Sequence, residues 1–265
     1  MNLDELEQSL KAEGKKSPQK VIVFGDPKVG KTELVGKLAH HFPMTWFDLE
    51  DGHATLLKLP SEAKKNINLI QVPDTRESPQ AQDTIRRIFT NPGPHKICAD
   101  HGKIGCMVCT KSQRPFHTVD FANLRKNEIV VIDSLTQLSN SAMAKVMEKE
   151  DSLAKPEWDH YAKQGFILDR ILSQVQAASF HVVVISHVTE TEMIDGKKKL
   201  VPFGGTTNFA RSISRYFGHS VYLYSSNKQH KAASESTFST QISTGSRSGF
   251  SIESLKEPNL LEIFQ

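Results

Sequence analysis

The stretch Gly25-Asp26-Pro27-Lys28-Val29-Gly30-Lys31-Thr32 constrains this chain more than any other. It fits the pattern G-x-x-x-x-G-K-[ST] and has the neighbours that pattern requires. Ahead of it, Val21-Ile22-Val23-Phe24 is a β-branched and aromatic run of the kind that forms a buried strand. Behind it, residues 32–41 have helical periodicity. Strand, glycine loop and helix in that order aim backbone N–H groups and the positive end of a helix dipole at phosphate oxygens. Lys31 is then expected to reach the β- and γ-phosphates of a nucleoside triphosphate, and the Thr32 hydroxyl to ligate Mg²⁺.

The rest of the chain alternates in the same way. Residues 44–49, 67–72, 128–133, 181–187 and 219–224 read as strands, with 237–243 as a further late strand. Residues 79–90 and 135–178 read as helical, the latter with a break near Lys155-Pro156. Such alternation predicts an α/β fold, a mostly parallel sheet between helices. With 265 residues, 38% of them hydrophobic, there is room for one large domain plus an insertion. The expected division is an N-terminal helix and tether over 1–17, a core over 18–250 interrupted by an insertion at 91–118, and a C-terminal tail over 251–265. Leu3, Leu6 and Leu10 share one face of the terminal helix, which either packs on its own domain or docks on a neighbouring subunit. Residues 225–236 are polar and read as a surface loop.

No apolar run approaches the roughly 20 residues that span a bilayer, and the N-terminus lacks the apolar centre of a signal peptide. These features predict a cytoplasmic protein without a membrane partner. A formal net charge of +3 permits a nucleic-acid partner without requiring one.

A phosphate loop alone speaks for nucleotide binding, not hydrolysis. The second element is the apolar strand Ile129-Val130-Val131-Ile132 ending in Asp133, the Walker B pattern, whose carboxylate is expected to hold Mg²⁺ with Thr32. Ser134, not glutamate, follows Asp133, so the usual adjacent glutamate of AAA+ enzymes is missing. The other acidic candidate is Phe47-Asp48-Leu49-Glu50-Asp51-Gly52, at the end of the strand after the loop helix. Strand alternation sends Asp48 and Glu50 to one side, and Glu50 is placed to orient a water at the γ-phosphate.

Glycine loop, Asp-x-Glu after the second strand, and an apolar strand ending Asp-Ser together resemble the RecA-type ATPase core. The resemblance covers residues 20–250 apart from the insertion. It is most similar to compact phage-encoded RecA-like ATPases of single-strand annealing and recombination. It implies an ATP- and Mg²⁺-dependent ATPase in which Glu50 is the catalytic base, Lys31 and Asp133 complete the catalytic set, and His187 stands at a γ-phosphate sensor position. The family commonly has a polar Asn-Gln pair there, so a histidine is a departure. Pro202-Phe203-Gly204-Gly205-Thr206-Thr207-Asn208 is similar to the family's Gly-Gly-Asn segment.

The family's two loops for single-stranded DNA correspond to residues about 139–163 and 189–208. The second holds Lys197, Lys198 and Lys199, with Phe203 close behind. Lysines neutralise phosphates, and an aromatic ring stacks or wedges between bases. Arg211 and Arg215, four apart, are further candidates for DNA or a subunit interface. Arg247 resembles a residue that reaches a neighbour's nucleotide in RecA-like hexamers, although Gly245 replaces the lysine that precedes it there. The implied partners are single-stranded DNA, further copies in a ring or filament, and a single-stranded DNA-binding protein. Alternatives are a replicative helicase-like motor, a helicase loader, or a nucleotide-gated DNA-binding adaptor with negligible turnover.

All three cysteines lie within residues 98–109. Cys98-x₂-His101 and Cys106-x₂-Cys109 are two close ligand pairs, with Gly102 and Gly105 permitting tight turns. Three thiolates and one imidazole suit tetrahedral Zn²⁺ in a structural role. His95 is an alternative to His101, and His117 a more distant one. Lys96, Lys103, Lys111 and Arg114 would let such an insertion touch DNA.

Overall fold

The run Lys20–Gly25 forms strand β1, and all six of its residues are buried. A strand apolar at nearly every position needs cover on both faces. Val21 and Val23 point into one apolar cluster and Ile22 into another, as the two-residue period of a strand requires. Around this strand is built the computed structural model, which describes residues 17–125, 127–151, 153–193, 196–226, 229–235, 241–255 and 257–265.

The remaining elements follow in order: α1 (Lys31–Gly36), β2 (Met44–Asp48), α2 (Ser61–Lys65), β3 (Ile67–Gln71), α3 (Ala81–Thr90), β4 (His95–Cys98), α4 (Met107–Lys111), β5 (Phe116–Val119) and β6 (Ile129–Asp133). Next come α5 (Leu135–Val146), α6 (Trp158–Ala177), β7 (His181–Glu192), β8 (Lys198–Pro202), α7 (Thr207–Ser212), β9 (His219–Ser226), β10 (Gln229–Ala233), β11 (Gly245–Ser246) and α8 (Leu261–Phe264). The main sheet has the order β10-β9-β1-β7-β6-β2-β3. From β9 to β3 every neighbouring pair is parallel, while β10, β11 and β8 join antiparallel. The expected mostly parallel sheet between helices is therefore present.

One face carries α1 and the C-terminal residues Leu260, Ile263 and Phe264, packed on Val21, Val23 and Trp46. The other carries α3, α5 and α6, through Ile85, Leu138 and Leu168 among others. Parallel pairing brings the carboxyl ends of β1, β7, β6 and β2 to one edge. There Gly25 is in register with His187, and Asp133 with both Ile185 and Asp48.

Several sequence expectations change. Residues 225–236 are not simply a loop: Gln229–Ala233 pair with β9, and Ala232 and Ala233 are buried. A polar segment becomes a strand because β9 offers it an unpaired edge. The strand expected at 181–187 runs on to Glu192, because β8 folds back along it. Of the late strand expected at 237–243, residues 237–240 lie outside the described residues, and the strand found is Gly245–Ser246 on β9. Residues 251–265 are no free tail, since Ile252 joins Leu260, Ile263 and Phe264 in the core and Phe264 meets Phe42 with ring centroids 5.9 Å apart. The N-terminal helix expected from Leu3, Leu6 and Leu10 lies outside the described residues.

Candidate nucleotide site and metal knuckle

The loop after β1 is shaped by two glycines. A Cβ on Gly25 would lie 2.2 Å from the Leu223 carbonyl oxygen, so the neighbouring strand leaves no room for a side chain. Gly30 has φ +90 and opens α1, its carbonyl accepting the Leu34 N–H at 2.8 Å. Lys31 is buried, and its Nζ donates to the carbonyls of Gly25 (3.0 Å) and Asp26 (2.7 Å). Burial lowers its pKa, against the opposing pull of Asp133, Glu50 and Asp26. Asp26, Pro27 and Lys28 are exposed along the loop, and Val29 is buried beneath it.

Thr32 Oγ1 donates to Asp133 Oδ2 at 3.1 Å. Asp133 is 4% exposed, and burial together with the nearby Glu50 and Asp48 charges pushes its carboxyl up to about 7. A hydroxyl and a strained buried carboxylate side by side are a donor set suited to a hard divalent cation. Thr32 and Asp133 are thus the residues that fit Mg²⁺.

Glu50 comes to the same place from β2. Its carboxylate accepts the Ser134 hydroxyl and lies 3.5 Å from His187 Nε2, with the Glu50 side chain 29% exposed. Burial would raise its pKa, but the contacts with His187 and Ser134 and the charge of Lys31 prevail and hold it below the ordinary value. His187 is anchored from both sides: its N–H donates to Thr136 Oγ1 at 2.9 Å and its carbonyl accepts the Phe203 N–H at 2.8 Å.

Asp48 adds its charge to the site beside Glu50 and has a second task. Its carboxylate accepts the N–H groups of Glu50 (3.3 Å), Gly52 (2.9 Å) and His53 (3.1 Å), closing the turn that carries Glu50. Strand alternation ends where this turn begins, with Asp51 at φ +58. A cleft of about 440 Å³ beside Glu50 is lined by Asp48, Val72, Asp74 and Gln137 among others.

Sequence reasoning passed over Ser134 as a partner, although Ser134-Leu135-Thr136-Gln137 carries a helix-capping pattern and Ser134 does accept the Gln137 N–H. It also passed over Asp74. That residue caps α3 through Gln80 and Ala81 and accepts from Gln137 and Ser141 of α5.

Other expected contacts are dispersed. The segment 189–208 is mainly a β7–β8 hairpin rather than an irregular loop. Lys197 and Lys198 are exposed at its end, Lys199 less so, and Lys198 pairs with Glu190 at 2.7 Å. Phe203 follows it, tied to His187. Arg211 contacts Asn208 within α7 at 3.4 Å. Arg215 does not join Arg211 on one outward face, because the helix tightens after Ser212 and Arg215 turns to Asp169 (3.0 Å) and Tyr216. Arg247 donates its N–H to Gly218 at the start of β9, so it lies at the amino edge of the sheet, away from its own chain's phosphate loop.

In the insertion, β4 and β5 pair antiparallel, and Cys98, His101, Cys106 and Cys109 converge with all ligand atoms within 4.8 Å of one another. His101 Nδ1 stands 3.9, 3.7 and 3.1 Å from the sulfurs of Cys98, Cys106 and Cys109. A tetrahedral zinc ion with Zn–S of about 2.3 Å and Zn–N of about 2.0 Å sets these separations near 3.6 Å, so the group fits a metal. His95 is directed elsewhere, with Nε2 2.6 Å from the Asn91 carbonyl.

Residues 17–213, well over half of the chain, match the family described as the AAA domain. The chain belongs to the AAA domain family. An AAA domain is a P-loop ATPase module, so nucleotide-dependent activity follows from membership. No curated protein matches this AAA domain. Among solved structures, a prototypical ATPase from the type III secretion system of pathogenic bacteria is similar at 13% identity and TM-score 0.45, over 78% of this chain and 52% of that one. The AAA domain chain thus spans about half the length of that ATPase, and so distant a likeness carries no argument about function. Among the described residues no helix is long and apolar enough to cross a membrane.

Proposed function

We propose that this AAA domain is a RecA-like, Mg²⁺-dependent ATPase that binds single-stranded DNA and assembles as a ring or filament for recombination or annealing, with zinc in its knuckle. The observation that carries the reading is the meeting of Glu50 with Ser134 and His187 beside Thr32 and Asp133. Lys31 and the backbone N–H groups of the loop Gly25 to Thr32, Pro27 excepted, bind the phosphates. Thr32 and Asp133 would hold Mg²⁺, which would supply neutralisation of the charge that develops on the phosphates. Glu50 orients the attacking water and takes its proton, and His187 senses the γ-phosphate.

The DNA reading draws on what extends from the same edge. The β7–β8 hairpin, with Lys197, Lys198 and Lys199, grows directly from His187. Leu153 and Trp158, 89% and 82% exposed, flank the connection between α5 and α6, which borders the Asp74 and Gln137 side of the Glu50 cleft. Exposed aromatic and basic groups together suit a single strand. In a head-to-tail assembly the amino edge of one copy faces the carboxyl edge of the next, which is how Arg247 would serve a neighbour's nucleotide.

The test is ATP hydrolysis with and without a single-stranded oligonucleotide, for wild type and Glu50→Gln, alongside sedimentation with an ATP analogue. DNA-stimulated turnover, an assembled species, and a loss of about 10²–10⁴ in kcat for Glu50→Gln are expected. Native turnover in Glu50→Gln rules out that base. Nucleotide-dependent DNA binding without turnover makes the protein an adaptor instead.

A further inference from the structure

The knuckle is wedged into the ATPase fold at one point. Gly102, next to the ligand His101, has φ +61, and a Cβ on it would lie 2.6 Å from Val72 Cγ1 and 2.7 Å from Val72 Cα. Only glycine permits that approach in that conformation. The Gly102 carbonyl accepts the buried Thr84 hydroxyl of α3 at 2.7 Å. The turn between Cys98 and Cys106 is therefore clamped between α3 and the residue just beyond β3. Val72 in turn donates its N–H to the Asp48 carbonyl at 2.9 Å, and the Asp48 carboxylate holds the amides of Glu50, Gly52 and His53. From His101 to Glu50 the path is short: Gly102 packed on Val72, one backbone hydrogen bond from Val72 to Asp48, and the buried Asp48 carboxylate on the amides of the turn.

The strand at stake is an edge strand of the main sheet. β3 is at its edge, paired with β2 alone, and its burial is partial where β2 is buried throughout. We infer that the zinc-closed knuckle is a positioning element for hydrolysis: it presses Gly102 on Val72, holds β3 in register with β2, and so keeps the Asp48–His53 turn and Glu50 in place. Gly102 and the four metal ligands act through that turn, as positioning residues. The inference rests on the reading of Glu50 as the group that orients water. The phosphate loop follows β1, which is separated from β3 by three strands, so zinc acts on turnover and not on nucleotide affinity.

The full chain is compared zinc-loaded, after zinc removal by a chelator, and as Gly102→Ala, which keeps all four ligands. One zinc per chain binds wild type and Gly102→Ala. Both zinc-free protein and Gly102→Ala lose about tenfold in kcat per nucleotide-binding site, the scale of a small misplacement of a catalytic group. KM stays within about twofold, because phosphate-loop binding is untouched. Amide hydrogen exchange supplies a readout independent of activity: zinc removal speeds exchange at Glu50, Gly52 and His53 about tenfold or more and leaves Lys31 to Leu34 unchanged. Unchanged exchange at Glu50 to His53, an equal change at Lys31 to Leu34, or failure to bind zinc overturns the inference. A wild type that binds ATP without hydrolysing it defeats the ATPase reading, while the exchange comparison still decides the coupling.

Discussion

The metal knuckle and the nucleotide site are built in opposite ways. The knuckle draws Cys98, His101, Cys106 and Cys109 from one short stretch, and soft sulfur donors meet through local turns. The nucleotide site draws Thr32 from the start of α1, Glu50 from the turn after β2, Asp133 from the end of β6 and His187 from within β7, and these meet only because the sheet is parallel. The first closes on itself, with three buried cysteines. The second keeps its carboxylates crowded, and burial together with the Glu50 and Asp48 charges raises Asp133 to about 7. A closed cluster is suited to holding structure, and a crowded, accessible one to chemistry.

The contrast is broken most severely if one cluster cannot be lost without the other. Cys109→Ser should abolish zinc binding, an interaction of about 10 kcal/mol or more in structural zinc sites. Nucleotide binding at the phosphate loop, measured by titration with a fluorescent ATP analogue, should survive. Lys31→Ala tests the converse: hydrolysis should fall by about 10²–10³, with zinc content by elemental analysis unchanged. Loss of zinc in that variant would join the two clusters.

Asp133 sharpens the electrostatic half. A carboxyl whose folded pKa is raised stabilises the fold when protonated, fully below its unfolded value near 4, and loses that contribution as pH climbs through about 7. Metal-free Asp133→Asn should therefore gain on wild type as pH rises, by up to about 4 kcal/mol at pH 8, and the gap should narrow toward pH 4. Thermal unfolding at the two pH values checks it, and added Mg²⁺ with nucleotide should reverse the sign by favouring the carboxylate. The smallest effect lies at the amino edge. Arg215→Ala breaks an exposed contact with Asp169 and should change stability by about 1 kcal/mol or less. A large loss of single-stranded DNA affinity in Arg215→Ala, read by fluorescence anisotropy, would restore it as a DNA contact.

What was legible in the sequence follows the same division. Gly25 to Thr32 and Cys98 to Cys109 could be read because their geometry depends on neighbours along the chain: a strand, a tight turn, a helix start. Asp48 was legible only in part: its charge does reach Asp133 beside that of Glu50. Period-two alternation holds only inside the strand, and the turn at Asp51 took its carboxylate for backbone amides. Arg215 misled because helical spacing fails where the chain tightens into a 3₁₀ turn. Residues 229–233 carry little apolar signal, and pairing with β9 made them a strand.

The sequence by itself determined the phosphate loop, the alternation that makes a parallel sheet, and the Cys/His group, since each is specified by residue types at short range. Only the tertiary structure decided that Glu50 is held by Ser134 and His187, that Arg247 stands at the far edge, and that Gly102 leans on Val72. Those contacts join residues distant in the chain, and their geometry comes from strand order and register, which no local spacing encodes.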